Sequence, residues 1–292
     1  MKVTVKAAAK INLTLDIIGK REDGYHELRS IMQSVAIYEY VTLTKNDSNT
    51  ILISCDKPGI PTDDTNIASR CARAYFKKAG IERIGLEISI RKNIPAQAGM
   101  AGGSADGAAV LRGLNEMYNA LSFEELCALG ATCGADIPFC LMGGTVLCEG
   151  IGEKLSRCEN VLPDCTLVII KPEAGISTKD AYDAVDNAGF SGDIASDKLL
   201  ENMTDIESIA AYLDNAFADA LKIAEIDDAV ERLKAFDGCL NACMTGSGSA
   251  VFGIFKDEEK AYKCAIELSG QYSFSKAVKP CRIGTEIVSK EQ

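Results

Sequence analysis

The chain has a single histidine, His26, and none of its twelve cysteines is spaced as CxxC. A zinc site needs several His or Cys ligands close together, so this composition argues against one. The cysteines are scattered, mostly among apolar neighbours, as buried reduced thiols are. No run of 18 apolar residues exists, so no segment is expected to span a bilayer. The opening MKVTVKAAAKINLTLDII holds no continuous apolar stretch before its third lysine. It makes a poor signal peptide, and the expected compartment is the cytoplasm. Positive charge is also short: 31 Lys and Arg face 42 Asp and Glu, a formal net charge of −11. Non-specific nucleic-acid binding needs a basic face, so neither nucleic acid nor membrane is an expected partner. The sequence carries no internal repeat and no low-complexity linker. It also gives no indication of oligomeric state.

Signatures of several nucleotide-binding families are missing as well. No lysine lies between Lys92 and Lys154, so the glycine-rich stretch there is not a Walker loop. Nor does it spell the GxGxxG of a dinucleotide site. The HRD and DFG signatures of protein kinases are absent.

What is present is a chain of 292 residues, 47% hydrophobic and 25% charged, with ample material for the core of a soluble globular protein. Its organising stretch is IPAQAGMAGGSADGAAVL, residues 94–111. A strand over Leu86–Arg91 precedes it, with Leu86, Ile88 and Ile90 at every second position. Gly99, Gly102 and Gly103 allow a tight turn and close approach to a ligand. From Ala105 the composition turns helical, with Ser104 as the expected N-cap and Asp106 in the first turn. A glycine turn entering a helix offers unpaired N–H groups and a positive dipole end, which suit a phosphate. The same turn can also serve only to reverse the chain.

Around this centre, alternation predicts strands over 3–7 and 11–17, then 31–36 and 40–44, then 50–54. Lys10 and Asn12 share a parity and can face one cavity. Residues 63–80 read as a helix stopped by Gly80, and Ser122 caps a shorter one. Residues 134–144, GADIPFCLMGG, form a turn or short helix, and 145–148 a strand. The second half reads as a buried strand over 167–170, a loop over 171–180, and helices near 207–222, 226–236 and 257–269. A second glycine turn, MTGSGSAVFGIF at 244–255, runs into a strand. Strands and helices in both halves argue an α+β fold, with a soft boundary near residue 155.

Three residues stand out as candidates for chemistry. Lys10 lies in an apolar run and either reaches solvent or aims a cation into a site. Asp136 in GADIP is either a helix N-cap followed by Pro138, or a carboxylate that orients and deprotonates a hydroxyl. His26, after Tyr25 in a turn, is either a surface residue or half of an aromatic pair that stacks on a base and bonds its edge.

The order AKINLTL, GYHEL, PxxxGxxGGSAD, GADIPF and MTGSGSAVF resembles the GHMP kinases over about residues 6–255. The opening AKINLTLDIIGKREDGYHEL points to the branch that phosphorylates a cytidine-diphosphate-bearing polyol of the non-mevalonate isoprenoid route. The resemblance implies a two-domain α+β fold with its site in the cleft, an ATP-binding N-terminal domain over 1–155 and a C-terminal domain over 156–292. It implies ATP and Mg²⁺, with the phosphates on the loop that holds Ala98, Gly99, Met100, Ala101, Gly102, Gly103 and Ser104. Pro95 falls in the same motif. Asn66 and Lys92 match contacts to the adenosine part, and Lys10 and Asp136 match the cation and base. Tyr25 and His26 match the cytidine pair, Tyr182 its other aromatic wall, and Asn12 falls beside the acceptor. Ser104 is the candidate hydroxyl near Mg²⁺, because Ala105 replaces a second serine. Ala96, Gln97, Ala98 and Ala101 interleave the glycines, so the cradle survives if these positions avoid positive φ.

With the chain's overall field repelling anions, helix dipoles, Mg²⁺ and a few placed cations must attract the substrate. Two other functions remain open to the sequence. One is a GHMP kinase acting on a sugar, homoserine or mevalonate, which leaves His26 no base to read. The other is a silent ligand-binding regulator on the same scaffold, against which intact Lys10 and Asp136 weigh.

Overall fold

The computed structural model describes residues 1–159, 161–190 and 192–291. β1 (Lys2–Lys20) and β2 (His26–Lys45) form one long antiparallel hairpin. Two shorter strands are predicted along each, but their pairing is unbroken. Register shifts at Ala8/Ala9, Asn12/Thr14 and Ile17/Gly19 absorb the lapses in alternation. From Ala7 to Ile17 every residue of β1 is buried, so both of its faces are covered. Fully burying side chains such as Ile11 and Leu13 contributes roughly 1.5–3 kcal/mol each.

β3 (Ile51–Cys55) leads to α1 (Ile67–Ala79). This helix starts four residues later than the predicted 63. Asp63 and Thr65 form a turn, and the Asn66 side chain accepts the Ala68 N–H as the cap. Gly80 ends it in the left-handed region, at φ 67°. β4 (Leu86–Arg91) and α2 (Gly102–Tyr118) flank the glycine loop. α3 (Phe123–Cys133) opens with a complete Ser122–Glu125 capping box. α4 (Ile137–Met142), β5 (Thr145–Gly150) and β6 (Lys154–Arg157) complete this half. The boundary expected near residue 155 falls within β6.

β7 (Thr166–Lys171) is followed by α5 (Thr178–Ala188), whose first turn occupies the end of the predicted loop because Ser177 caps it. α6 (Ala195–Glu201) comes next. The single helix predicted over 207–222 is broken into α7 (Ile206–Ala211), β8 (Asp214–Asn215) and α8 (Ala216–Leu221). The break lies at Asn215, whose Oδ1 accepts the Phe217 and Ala218 N–H groups while Nδ2 donates to the carbonyls of Met244 and Gly246. Those bonds outweigh the helical pattern. α9 (Ala224–Lys234), β9 (Cys239–Met244), β10 (Val251–Phe255), α10 (Glu258–Leu268), β11 (Phe274–Val278) and β12 (Thr285–Glu291) follow.

The larger sheet runs β12-β1-β2-β4-β3, with β8 also on β1. β4 pairs with β2 along Tyr40–Lys45, and β5, which carries β6, pairs along Leu28–Gln33. The smaller sheet is antiparallel, in the order β11-β7-β10-β9, with α9 and α10 packed on it. β8 and β12, late in the chain, thus return to the first sheet. α2 packs on β1 and β2 and against α1 and α4, while α6 and α8 also reach β1. β1 is therefore the strand on which both halves meet.

Candidate active site

A cavity of about 600 Å³ lies over the middle of β1, lined by the glycine loop from the first half and by α5 and the 246–248 turn from the second. Of the residues expected at the site, Lys10, Asn12, Lys92, Pro95, 98–104, Asp136 and Tyr182 line it. Asn66, Tyr25 and His26 do not.

The loop is more strained than alanine content alone predicts. Ala98 avoids positive φ, but Gln97 and Ala101 adopt φ of 51° and 59°. Each non-glycine residue there costs roughly 1–2 kcal/mol. Gly99, at φ 69°, has no room for a side chain: a Cβ would lie 2.1 Å from the Thr245 carbonyl oxygen. Left-handed Ala101 turns the chain into α2 three residues before the predicted start. Ser104 is therefore not the cap but sits within the first turn, and no side chain caps this helix. The first intrahelical bond runs from Ala105 N–H to Ala101 at 2.8 Å. The N–H groups of Gly102, Gly103 and Ser104 precede it, all three residues facing the cavity, as an anion requires.

Lys10 is only 3% exposed, so it does not reach solvent. Its ammonium donates to Asn12 Oδ1 at 2.7 Å, and among the described residues it enters no ion pair. Both ends of the Asn12 amide are engaged. Oδ1 also accepts from Gly246 N–H (2.9 Å) and the Thr245 hydroxyl (3.3 Å), and Nδ2 donates to Ser30 Oγ (2.7 Å). Asn12 thus holds the cation and clasps the second glycine turn. Asp136 precedes α4 in a helical conformation, and its side chain makes no capping bond. That carboxylate is left to face the cavity. Burial pushes up the Cys140 and Cys148 thiols; the Asp136 charge adds to this at both, and Lys10 opposes it at both.

Lys92 is tied beneath the loop. Its ammonium lies 2.7 Å from both Glu39 and Asp106 and donates to the Gly102 carbonyl at 3.2 Å. Glu39 also accepts the N–H groups of Asn93 and Ile94. Burial pushes the Asp106 carboxyl up to about 7; Lys92 opposes this and Glu39 adds to it. Neither carboxylate was legible as part of the site. Asp106 reads as a first-turn acid, and Glu39 falls between the strands predicted over 31–36 and 40–44. Asn66 spends its side chain on the α1 cap and on the Pro61 carbonyl. It adjoins Ile67, whose Cγ2 would stand 3.7 Å from a Cβ at Gly103.

Tyr182 lines the cavity with one face near His26: the rings stack at 4.5 Å and 21°. A base cannot enter between them. Tyr182 also meets Phe217 edge-on at 4.9 Å, and burial, with Asp136 second, pushes its phenol up to about 12. His26 is buried, while Tyr25 is 59% exposed. Phe217, Ile176 and Ser247, which also line the cavity, were not singled out in the sequence. Tyr182 and the glycine turn at 246–248 were what signalled that end of the site.

The GHMP kinases N terminal domain matches residues 66–144, and the GHMP kinases C terminal matches 198–273. A 4-diphosphocytidyl-2-C-methyl-D-erythritol kinase of Clostridium beijerinckii is 40% identical over 273 residues, 92% of this chain and 96% of that protein. The same kinase of Caldicellulosiruptor saccharolyticus is 42% identical over 268 residues, 90% and 92% of the two chains. A crystal structure of 4-(cytidine 5'-diphospho)-2C-methyl-D-erythritol kinase superposes with TM-score 0.78 at 30% identity, covering 96% of this chain and 99% of that one. A homoserine kinase from Cytophaga hutchinsonii shares the fold at TM-score 0.75 and 20% identity, covering 98% of this chain and 97% of its own. With the α+β architecture and a glycine-loop cavity already in place, these likenesses over nearly the whole chain make it a small-molecule kinase that belongs to the 4-diphosphocytidyl-2-C-methyl-D-erythritol kinase family of GHMP kinases.

Proposed function

We propose that the chain transfers the terminal phosphoryl group of ATP to the 2-hydroxyl of 4-diphosphocytidyl-2-C-methyl-D-erythritol, in the cytoplasm, within non-mevalonate isoprenoid biosynthesis. One observation supports the catalytic assignment above others. Lys10 is a buried ammonium facing the cavity with a neutral amide, not a carboxylate, as its partner. A buried cation without a counter-ion is costly, and an arriving phosphate relieves that cost.

In the proposed mechanism the α2 amides and Lys10 hold the transferring phosphoryl, whose loose transition state needs charge stabilisation and alignment. The acceptor oxygen forms the new P–O bond as the bond from the γ-phosphorus to the β,γ-bridging oxygen breaks. Asp136 orients the acceptor hydroxyl and takes its proton late, and ADP leaves. Asn12 acts by fixing Lys10. The adenosine part is assigned to the end at Lys92 and Pro95, with Asn66 holding α1 behind Gly103. Tyr25, His26 and Tyr182 are assigned to the cytidine part.

Among the described residues no group of three or more His, Cys, Asp or Glu could hold a metal. Mg²⁺ suits such a site, since it binds mainly phosphates and water with one or two protein oxygens. Ser104 offers such an oxygen in the cavity. When bound, the ion would neutralise phosphate charge.

ADP release with ATP and Mg²⁺ tests the acceptor. Turnover is expected with 4-diphosphocytidyl-2-C-methyl-D-erythritol and not with homoserine or mevalonate. Turnover with either of the latter alone would overturn the assignment.

A further inference from the structure

Asp186 lies on α5, one turn beyond Tyr182, far in sequence from the His26 turn that it meets. Its Oδ1 is 2.7 Å from His26 Nε2, and its Oδ2 is 2.5 Å from the Lys20 ammonium. Those hydrogen bonds, Lys20 first and His26 second, hold the carboxyl below the usual carboxylate range. An ionised carboxylate can only accept, so the proton between the two side chains belongs to Nε2. In the neutral ring Nδ1 is then an acceptor. Nδ1 has no partner among the described residues, yet it is not one of the buried polar atoms left unpaired, so it reaches accessible space. The stack on Tyr182 fixes the ring plane, and Tyr182 itself faces the cavity.

We infer that Asp186, steadied by Lys20, is a specificity-determining positioning residue: it locks His26 in the Nε2–H tautomer, so that Nδ1 accepts from the exocyclic amine of a pyrimidine. The inference rests on the assignment of His26 to the cytidine part. A cytosine edge presents an amino donor where uracil presents a carbonyl oxygen. Against a fixed acceptor, the uracil oxygen meets a lone pair and loses the bond. A histidine free to change tautomer would accept either base. Asp186 thus sets the choice without touching the ligand.

Because His26 is the only histidine, a histidine-selective ¹⁵N spectrum of the intact protein reports one ring and needs no assignment. At mildly alkaline pH the wild type is expected to show a protonated Nε2 and a bare Nδ1. Cytidine diphosphate should shift Nδ1, and uridine diphosphate should not. Asp186→Ala should average the two tautomers and raise KM for the cytidine substrate roughly 10-fold, with a smaller change in kcat. Asp186→Asn, whose carbonyl still accepts, should restore much of the tautomer and of KM. A merely structural role would not move the tautomer. A wild-type ring protonated on Nδ1, or one averaged between tautomers, would overturn the inference. So would a locked ring whose Nδ1 ignores cytidine diphosphate. Failure of the acceptor assignment is separate, since it appears as absent ADP release whatever the ring shows.

Discussion

Asn12 and Thr245, 233 residues apart, bond each other twice: the Asn12 N–H donates to Thr245 Oγ1 at 2.9 Å, and that hydroxyl donates to Asn12 Oδ1 at 3.3 Å. The same Asn12 oxygen receives the Lys10 ammonium. The contact that joins the two halves is therefore also the one that places the cation. Asn12→Ala would strip Lys10 of its acceptor and leave the Gly246 N–H unpaired. A loss of about 1–3 kcal/mol in stability is expected. Lys10 should lose its alignment too, with kcat falling more than ATP affinity. Urea unfolding together with steady-state kinetics checks both effects.

Two of the three left-handed positions of the phosphate loop, Gly99 and Ala101, should respond oppositely to substitution. Gly99→Ala would drive a Cβ into the Thr245 carbonyl, at 2.1 Å, with backbone on both sides and nothing flexible to yield. ATP affinity should collapse. Ala101→Gly removes a side chain from φ 59° and should stabilise the fold by up to about 1 kcal/mol. Nucleotide titrations and thermal melts of the two variants measure the contrast.

The Lys92–Glu39–Asp106 cluster gives stability a pH signature. Asp106 is raised to about 7 in the fold, so the native state keeps a proton that the unfolded chain releases. Stability from this group is present at acid pH and is lost as pH rises from about 4 to 7. Asp106→Asn should flatten that slope in urea midpoints measured across the window. Lys92 is raised as well, because its carboxylate partners outweigh burial, so its contribution holds below the ordinary lysine range and fades above it. Lys92→Met would leave two buried carboxylates facing each other, at a cost of about 3–5 kcal/mol.

The first half of the fold was the more legible in sequence. Strand alternation located β1, β2 and β4, and Gly80 and Ser122 marked helix ends, because local chemistry decides those features. Three features carried no such local signal, and distant partners settle the first two. Asn215 breaks a good helical pattern by bonding the 244–246 turn, and no local signal announces it. β12 gains its place only by pairing with β1, at the other end of the chain. Ala101 enters the left-handed region against its own preference, which moved the start of α2 and displaced Ser104 from the cap. At the site, motif order was enough to nominate Lys10, Asn12 and Asp136. Glu39, Asp106 and Asp186 were invisible, because burial and ion pairing with remote residues define their roles.

ADP release from Asp136→Asn beside wild type, with ATP affinity and unfolding measured on both, tests the central claim most directly. The substitution keeps the shape and removes the carboxylate that faces the cavity. The account predicts a fall in kcat of roughly 10²–10⁴-fold with nucleotide binding and stability retained. A variant that turns over within a few-fold of wild type would contradict it.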